Sequence, residues 1–184
     1  MVDRNRKILD TAAELFYEKG FHGTSMDELG TRAGMSGPAV YRHFAGKDEI
    51  LASLFGEAMD ELLAATEPVD DDPARDLERL VRFHVVFALG NRHLVNVTQR
   101  EDRSLVDPWR RRVDRRRKKY VAGWESAVAL YLPLSSTAEV AVAAQSCLGM
   151  IFSIAYWPTK ATRTPGLEDI VVRTSLAGLE AFKR

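Results

Sequence analysis

The sequence predicts an all-α protein, and three observations carry that prediction. Capping boxes stand at Ser25/Glu28 and Ser136/Glu139, each just before an apolar run. Apolar residues recur at helical spacing through most of the 184 residues. No segment alternates convincingly as a strand, and no internal repeat is evident. The predicted architecture is an N-terminal three-helix domain with a helix-turn-helix, residues 1–46. A larger helical bundle, residues 47–184, follows it.

The Gly23–Leu51 stretch is the most informative. The Ser25 hydroxyl is placed to accept from the Glu28 amide, and the Glu28 side chain to reach back. That helix runs to about Ala33, with Met26, Leu29 and Ala33 on one face. Gly34 is a left-handed stop. Ser36 is the expected N-cap of the next helix, and Pro38 is tolerated in its first turn. This second helix is expected over about Gly37–Phe44. Two short helices around a tight, glycine-containing turn are the signature of a DNA-reading helix-turn-helix.

The outward arc of the second helix defines the candidate interface. Val40 and Phe44 share a face and anchor it to the core. Pro38 and Arg42 lie roughly opposite, flanked by Ala39, Tyr41 and His43. A major groove about 12 Å wide admits one such helix, whose N-terminal half reaches base edges. Arg42 suits a phosphate or a guanine. Tyr41 and His43 suit phosphates, and Pro38 and Ala39 a thymine methyl. Gly37 permits close backbone approach, and Lys47 adds a phosphate contact at the next helix start. Taken singly, Tyr41 and His43 are more often packing residues; the caps, turn and periodicity together carry the inference.

These residues resemble the N-terminal domain of TetR-type bacterial transcriptional regulators. The resemblance covers residues from about 4 to about 55. It rests on Ile8–Phe16, Gly20-Phe21, Gly23–Met26, Ala33–Ser36, Tyr41–Phe44 and Lys47–Leu51. It implies that Thr24, Ser25, Ser36, Gly37, Tyr41, His43 and Lys47 contact DNA, mostly at phosphates. Two positions depart from the family's habit. Gly30 stands where alanine is common, which is expected to loosen the first reading helix. Gly37 often carries a lysine in relatives, so one phosphate contact is missing.

Beyond Leu51 the chain reads as helices throughout. One runs from about Lys47 to Thr66. An acidic loop, Pro68–Pro73, ends with Asp72 as cap and Pro73 in the first turn of a helix to about Asn91. A shorter helix covers about His93–Asp102. Asp107-Pro108 opens a long helix that stops before Pro133. The Ser136 capping box opens a helix to about Trp157, and Thr164-Pro165-Gly166 precedes a last one through Phe182.

The run Ala138–Trp157 is long enough to span a bilayer, for which about 20 residues are needed. Glu139, Gln145, Ser146, Gly149 and Ser153 interrupt it, and a helix apolar nearly all round is more often buried in a protein or oligomer. Ala144, Cys147, Leu148, Ile151 and Ala155 form a stripe. With Ile170, Leu176, Leu179 and Phe182 it is expected to build a four-helix homodimer interface. The resemblance implies the same use of the last two helices. Two recognition helices about 34–36 Å apart fit a palindromic double-stranded operator.

The central helices carry many large side chains. Most are ordinary core. Phe83, His84, Phe87, Gln99, Trp124, Gln145, Phe152 and Tyr156 are the candidate lining of a site for an unidentified, largely apolar effector. The resemblance implies such an inducer site, and Gln99-Arg100-Glu101 with Tyr120 and Trp124 faintly suggests a lipid or acyl-CoA related one. Between Arg110 and Lys119, eight of ten residues are basic. They are read as surrounding their helix, either solvated or as a polyanion site.

Composition points to a cytoplasmic protein without a membrane partner. The N-terminus, MVDRNRK, is polar. One cysteine, Cys147, excludes an internal disulfide and suits a reducing compartment; a buried packing role is expected above redox sensing. The formal net charge is zero, and residues 1–50 hold seven Lys/Arg against eight Asp/Glu. A DNA reader usually carries a basic patch. Arg32, Arg42 and Lys47 are therefore expected to cluster at DNA while Asp10, Glu14 and Glu18 face elsewhere. No metal-ligand spacing, nucleophile motif or phosphate loop is present, so no cofactor and no enzyme activity are expected. The alternative is a helical dimer that binds a small molecule, or an enzyme, without operator binding.

Overall fold

The computed structural model describes residues 4–183. Its helices are α1 (Arg4–Lys19), α2 (Met26–Ala33), α3 (Gly37–Val40), α4 (Lys47–Ala65), α5 (Pro73–Gly90), α6 (Arg92–Arg100), α7 (Trp109–Tyr131), α8 (Thr137–Phe152), α9 (Thr159–Thr162) and α10 (Leu167–Glu180). Short 3-10 turns at Asp102–Ser104 and Ser153–Tyr156 follow α6 and α8. No strand occurs among the described residues. By packing, the described residues divide into two compact units, 4–59 with 93–115, and 60–92 with 116–183.

In the first unit, Ile8, Leu9, Ala12, Leu15 and Phe16 place one face of α1 in the core. Leu29 of α2, Val40 of α3 and Ile50, Leu51, Leu54 and Phe55 of α4 pack into the same cluster. Val97, Leu105 and Val113 close it from the α6–α7 segment. The apolar spacing read along α2 and α4 is thus the spacing that builds this core.

In the second unit, α5 packs on α10 and α8, and α8 on α10. Asp72 caps α5 by accepting from the Ala74 amide at 2.9 Å. One turn on, the buried Asp76 accepts from the Val69 and Asp70 amides and from Arg79 at 2.9 Å. Arg79 in turn donates to the Ala65 and Glu67 carbonyls, tying down the end of α4. Burial pushes the Asp76 carboxyl up, but Arg79 and the two amides outweigh it and hold it low.

Three expectations are corrected here. The α-helical part of α3 ends at Val40 rather than at Phe44. Arg42 and His43 bond to Ala39 and Val40 three residues back, so the chain tightens while Tyr41–Phe44 still follow a helical path. Ser36 precedes α3 but its hydroxyl makes no cap bond. Pro38 lacks an amide that such a cap could use, and the Ala39 amide bonds the Ser36 carbonyl instead.

The third correction concerns α8. Ala144, Cys147, Leu148, Ile151 and Ala155 are buried inside the chain and form its own core. The opposite face, Val142, Gln145, Ser146 and Gly149, is exposed. On α10, Val171, Val172 and Leu179 turn inward while Ile170, Thr174, Ala177 and Gly178 face outward. The segment Thr137–Tyr156 is long and apolar enough to cross a membrane by length and composition, but its larger apolar side chains are spent on α5 and α10.

Candidate nucleic-acid interface and buried polar cluster

The two reading helices meet glycine to glycine. A Cβ on Gly30 would lie 2.9 Å from the Gly37 amide nitrogen and about as close to the Ser36 and Met35 backbones. A Cβ on Gly37 would lie 2.0 Å from the Asp27 carboxylate. Gly30 therefore does not loosen α2; it lets the start of α3 sit directly on it. Gly37 is buried against α2 rather than open to a groove. Ser25 caps α2, accepting from the Glu28 amide at 3.1 Å, but the expected return bond of the capping box is replaced by a pairing of the Glu28 carboxylate with Lys19; Gly34 ends the helix at φ 72°.

This packing leaves a defined exposed arc. Ser25, Ser36, Pro38, Tyr41 and Arg42 are exposed, and Tyr41 shows 54% of its surface. Arg42 has no ion partner among the described residues. Ala39 and His43 are half-buried, and the His43 ring is held at 2.7 Å by Asn5 of α1. Nothing in the sequence spacing marks Asn5 for this role. Thr24 is buried, its hydroxyl donating to the Gly20 carbonyl at 3.0 Å.

The charges differ from expectation in two respects, at Arg32 and at Lys47. Arg32 does not join a free cluster; it pairs with Glu18 at 2.7 Å because the last turn of α2 lies beside the end of α1. The bond to Arg32 holds the Glu18 carboxyl below its usual range. Lys19 pairs with Glu28, and Arg6 with Asp10 and Glu57. The Lys47 ammonium turns inward, onto the Phe21 carbonyl at 2.8 Å and the Thr24 carbonyl at 2.5 Å. Asp10, Glu18 and Glu28 are thereby matched within the unit, and Arg42 is the cation left open on the reading arc.

The predicted effector residues divide. His84 and Trp124 are fully buried side by side in the second unit, with Phe87 also buried and Phe152 half-buried. Around the His84 ring stand Trp124 at 4.9 Å, Tyr120 at 5.6 Å and Phe152 at 6.3 Å between centroids. The Tyr120 hydroxyl is buried without a hydrogen-bond partner of good geometry, and burial raises its pKa. Phe83 stands 5.4 Å from the His84 ring and 6.3 Å from the Phe87 ring, and its outer side lines a shallow surface groove of about 520 Å³ with Arg75, Arg79, Arg82 and Glu168. Gln145 and Tyr156 are exposed, and Gln99 is an exposed residue of the other unit. Tyr120 is absent from the predicted lining; its buried hydroxyl is visible only once the helices are packed.

The basic run on α7 is one-sided. Val113, Tyr120 and Trp124 occupy the buried face. Arg110 donates to the Leu105 and Arg103 carbonyls, Arg111 pairs with Asp107 and Arg116 with Asp60. Arg111, Arg112, Arg115, Lys118 and Lys119 lie on the exposed arc opposite the buried face.

Two family models match the chain. Residues 8–54 match the bacterial regulatory proteins of the tetR family, and residues 70–161 match the tetracyclin repressor-like C-terminal domain. The chain belongs to the TetR family. Within the family it is 29% identical, over 118 residues, to the fatty acid metabolism regulator protein of Bacillus subtilis (strain 168). That match covers 62% of this chain and 61% of the relative's length. Among solved structures it is similar to the TetR family regulator PfmR of Thermus thermophilus. The TM-score is 0.80 and the identity 26%, over 96% of this chain and 99% of that one. AibR in complex with isovaleryl coenzyme A and operator DNA gives a TM-score of 0.79 and 26% identity, over 95% and 97% of the two chains. The TetR fold and its helix-turn-helix are thus the frame on which the exposed arc and the buried cluster are built.

Proposed function

We propose that the protein is a homodimeric DNA-binding transcription regulator whose operator affinity is set by a small, largely apolar effector. The observation that carries this reading is the reading arc itself. Pro38, Tyr41 and Arg42 stand exposed on a short helix that is locked to α2 through Gly30 and Gly37. Residues 1–46 act as the reader and 47–184 as the effector and dimer domain. Ser25, Ser36, Tyr41, Arg42 and His43 make direct contacts, and Pro38 and Ala39 meet base edges. Thr24, Gly37 and Lys47 hold the frame, with Lys47 able to swing to a phosphate.

The effector class follows from chemistry and from relatives. The cluster of His84, Trp124, Tyr120, Phe87 and Phe152 is apolar with one unpaired hydroxyl, which suits an acyl group bearing a carbonyl. AibR was solved with isovaleryl coenzyme A, and the Bacillus subtilis relative is a fatty acid metabolism regulator. Effector binding favours a conformation in which two recognition helices no longer fit successive major grooves, and the operator is released. The exposed faces of α8 and α10 supply the dimer contact.

Selection from a random 30-base-pair duplex library tests the reading. The wild-type protein is expected to enrich a palindrome and to release it on addition of a short-chain acyl-CoA. Failure to enrich any duplex at low salt would overturn it. Mass spectrometry of co-purified small molecules identifies the effector directly.

A further inference from the structure

We propose that Glu101 is a positioning residue for the DNA reader, acting by clamping the Phe21 peptide against Lys47. The inference rests on α2–α3 being the reader. Residues Gly20–Thr24 join α1 to the N-cap of α2. Within the segment the Thr24 hydroxyl donates to the Gly20 carbonyl at 3.0 Å and the Thr24 amide to the Phe21 carbonyl at 3.4 Å, with Gly20 in the left-handed region at φ 77°. Neither bond holds the Phe21 amide, and two charged side chains from distant parts of the chain grip that residue.

Glu101 stands one residue past the end of α6. Its carboxylate accepts from the Phe21 amide at 3.3 Å and from the Ser104 hydroxyl at 3.0 Å. Arg100 lies 3.7 Å from the same carboxylate and donates to the Tyr17 carbonyl at 3.2 Å. From the other end of the same residue, the Phe21 carbonyl accepts from Lys47, the first residue of α4. The Lys47 ammonium also sits 4.8 Å from the centre of the Phe21 ring. One loop residue is thus held between an anion that follows α6 and a cation that begins α4.

Glu101 is only 8% exposed. A carboxylate withdrawn from water is unfavourable unless its oxygens are filled, and here the loop amide fills one of them. The bond survives only while the end of α6 and the loop keep their present register. A displacement of α6 by about 1 Å stretches it beyond hydrogen-bond range. The Gly20–Thr24 turn then loses the restraint that sets Ser25 and the first amides of α2, where a phosphate would bind. Glu101 contacts no DNA base or phosphate in this scheme; it acts through the turn.

Charge and position predict opposite signs, so the test is decisive. Removing an acid near DNA strengthens binding if Glu101 acts only through its charge. The positioning role predicts that Glu101→Ala weakens binding to a library-selected duplex by about tenfold. Glu101→Gln keeps an acceptor for the Phe21 amide and should stay within about twofold of wild type. Glu101→Asp keeps the charge but withdraws it by a methylene, and should lose about fivefold even if the alanine variant does not fold. Hydrogen exchange of residues 20–24 should accelerate in the Asp and Ala variants and not in Gln. Wild-type affinity and wild-type exchange in Glu101→Asp would overturn the proposal. If the wild-type protein selects no duplex, the regulator reading fails, and exchange at residues 20–24 still decides whether the clamp exists.

Discussion

The indole N–H of Trp124 donates to Nε2 of His84 at 3.2 Å, and both side chains are fully buried. The other ring nitrogen, Nδ1, lies 2.7 Å from the Leu80 carbonyl. Nε2 accepts, so the proton sits on Nδ1 and the ring is neutral. A second proton would set two donors face to face. Burial pushes the His84 pKa down to about 4, the Leu80 carbonyl opposes this, and Arg79 adds to it. The folded pKa is below the unfolded value of 6.5, so the unfolded chain binds more protons between these limits. The stability that His84 contributes is full above about pH 6.5 and is lost as pH falls toward 4. Between pH 7 and 5 the wild-type protein should lose about 2 kcal/mol more than His84→Gln in urea denaturation. Equal losses in the two proteins would remove His84 as the cause.

Gly30→Ala should be destabilising despite alanine's better helix propensity. The gain in α2 is about 1 kcal/mol. Against it, the new Cβ meets three backbone atoms of residues 35–37 at 2.9–3.1 Å, none of which can rotate away. Overpacking of this kind costs about 1–3 kcal/mol. The expected net is a loss of about 1 kcal/mol in chemical denaturation, with weaker operator binding because α3 is pushed off α2. A variant that melts higher and binds as well would show that α3 shifts freely.

Arg42→Ala and Tyr41→Phe separate charge from contact. Arg42 is the open cation of the arc, so its loss should lower the salt slope of binding by about one per protomer and weaken binding uniformly. Tyr41→Phe keeps the ring and removes one phosphate donor, with about a fivefold loss. Fluorescence anisotropy against salt concentration measures both. An unchanged slope in Arg42→Ala would place that guanidinium away from DNA.

Much of this was legible in the sequence because helices announce themselves locally. Ser25/Glu28, Ser136/Glu139 and Asp72-Pro73 fix helix starts through bonds spanning two or three residues. What pairs across the fold was not legible. Arg32 meets Glu18 and Lys47 meets Phe21 through contacts 14 and 26 residues apart. The same limit explains α8: its apolar content was plain, but which side was core depended on where α5 and α10 lie. The buried hydroxyl of Tyr120 and the Glu101 carboxylate likewise gain meaning only after packing.

Cys147 should be chemically silent. It is buried, and burial pushes its thiol up to about 12, so almost no thiolate exists at neutral pH. Labelling by a thiol-specific disulfide reagent should follow the unfolding rate, and peroxide should leave duplex binding unchanged. Fast labelling of the folded protein would reopen a redox role.

The exposed, small-residue faces of α8 and α10 predict a charge-sensitive dimer. Val142 shows 56% of its surface and Ile170 41%. Val142→Glu with Ile170→Glu should give a folded monomer by sedimentation equilibrium, with far weaker binding to a palindrome. A variant that stays dimeric would move the interface elsewhere.

The contact between Gly37 and Asp27 also constrains how this reader can change over generations. A lysine at position 37 adds a phosphate-seeking cation, yet its first side-chain carbon would fall on the Asp27 carboxylate. The exchange is open only after Asp27 has shortened or turned away. The obstacle is the end of an exposed, flexible side chain, so either a rotation of Asp27 or a smaller residue there admits the lysine. Pro38, Tyr41 and Arg42 lie outside that contact, and new operator preferences can be explored there one substitution at a time.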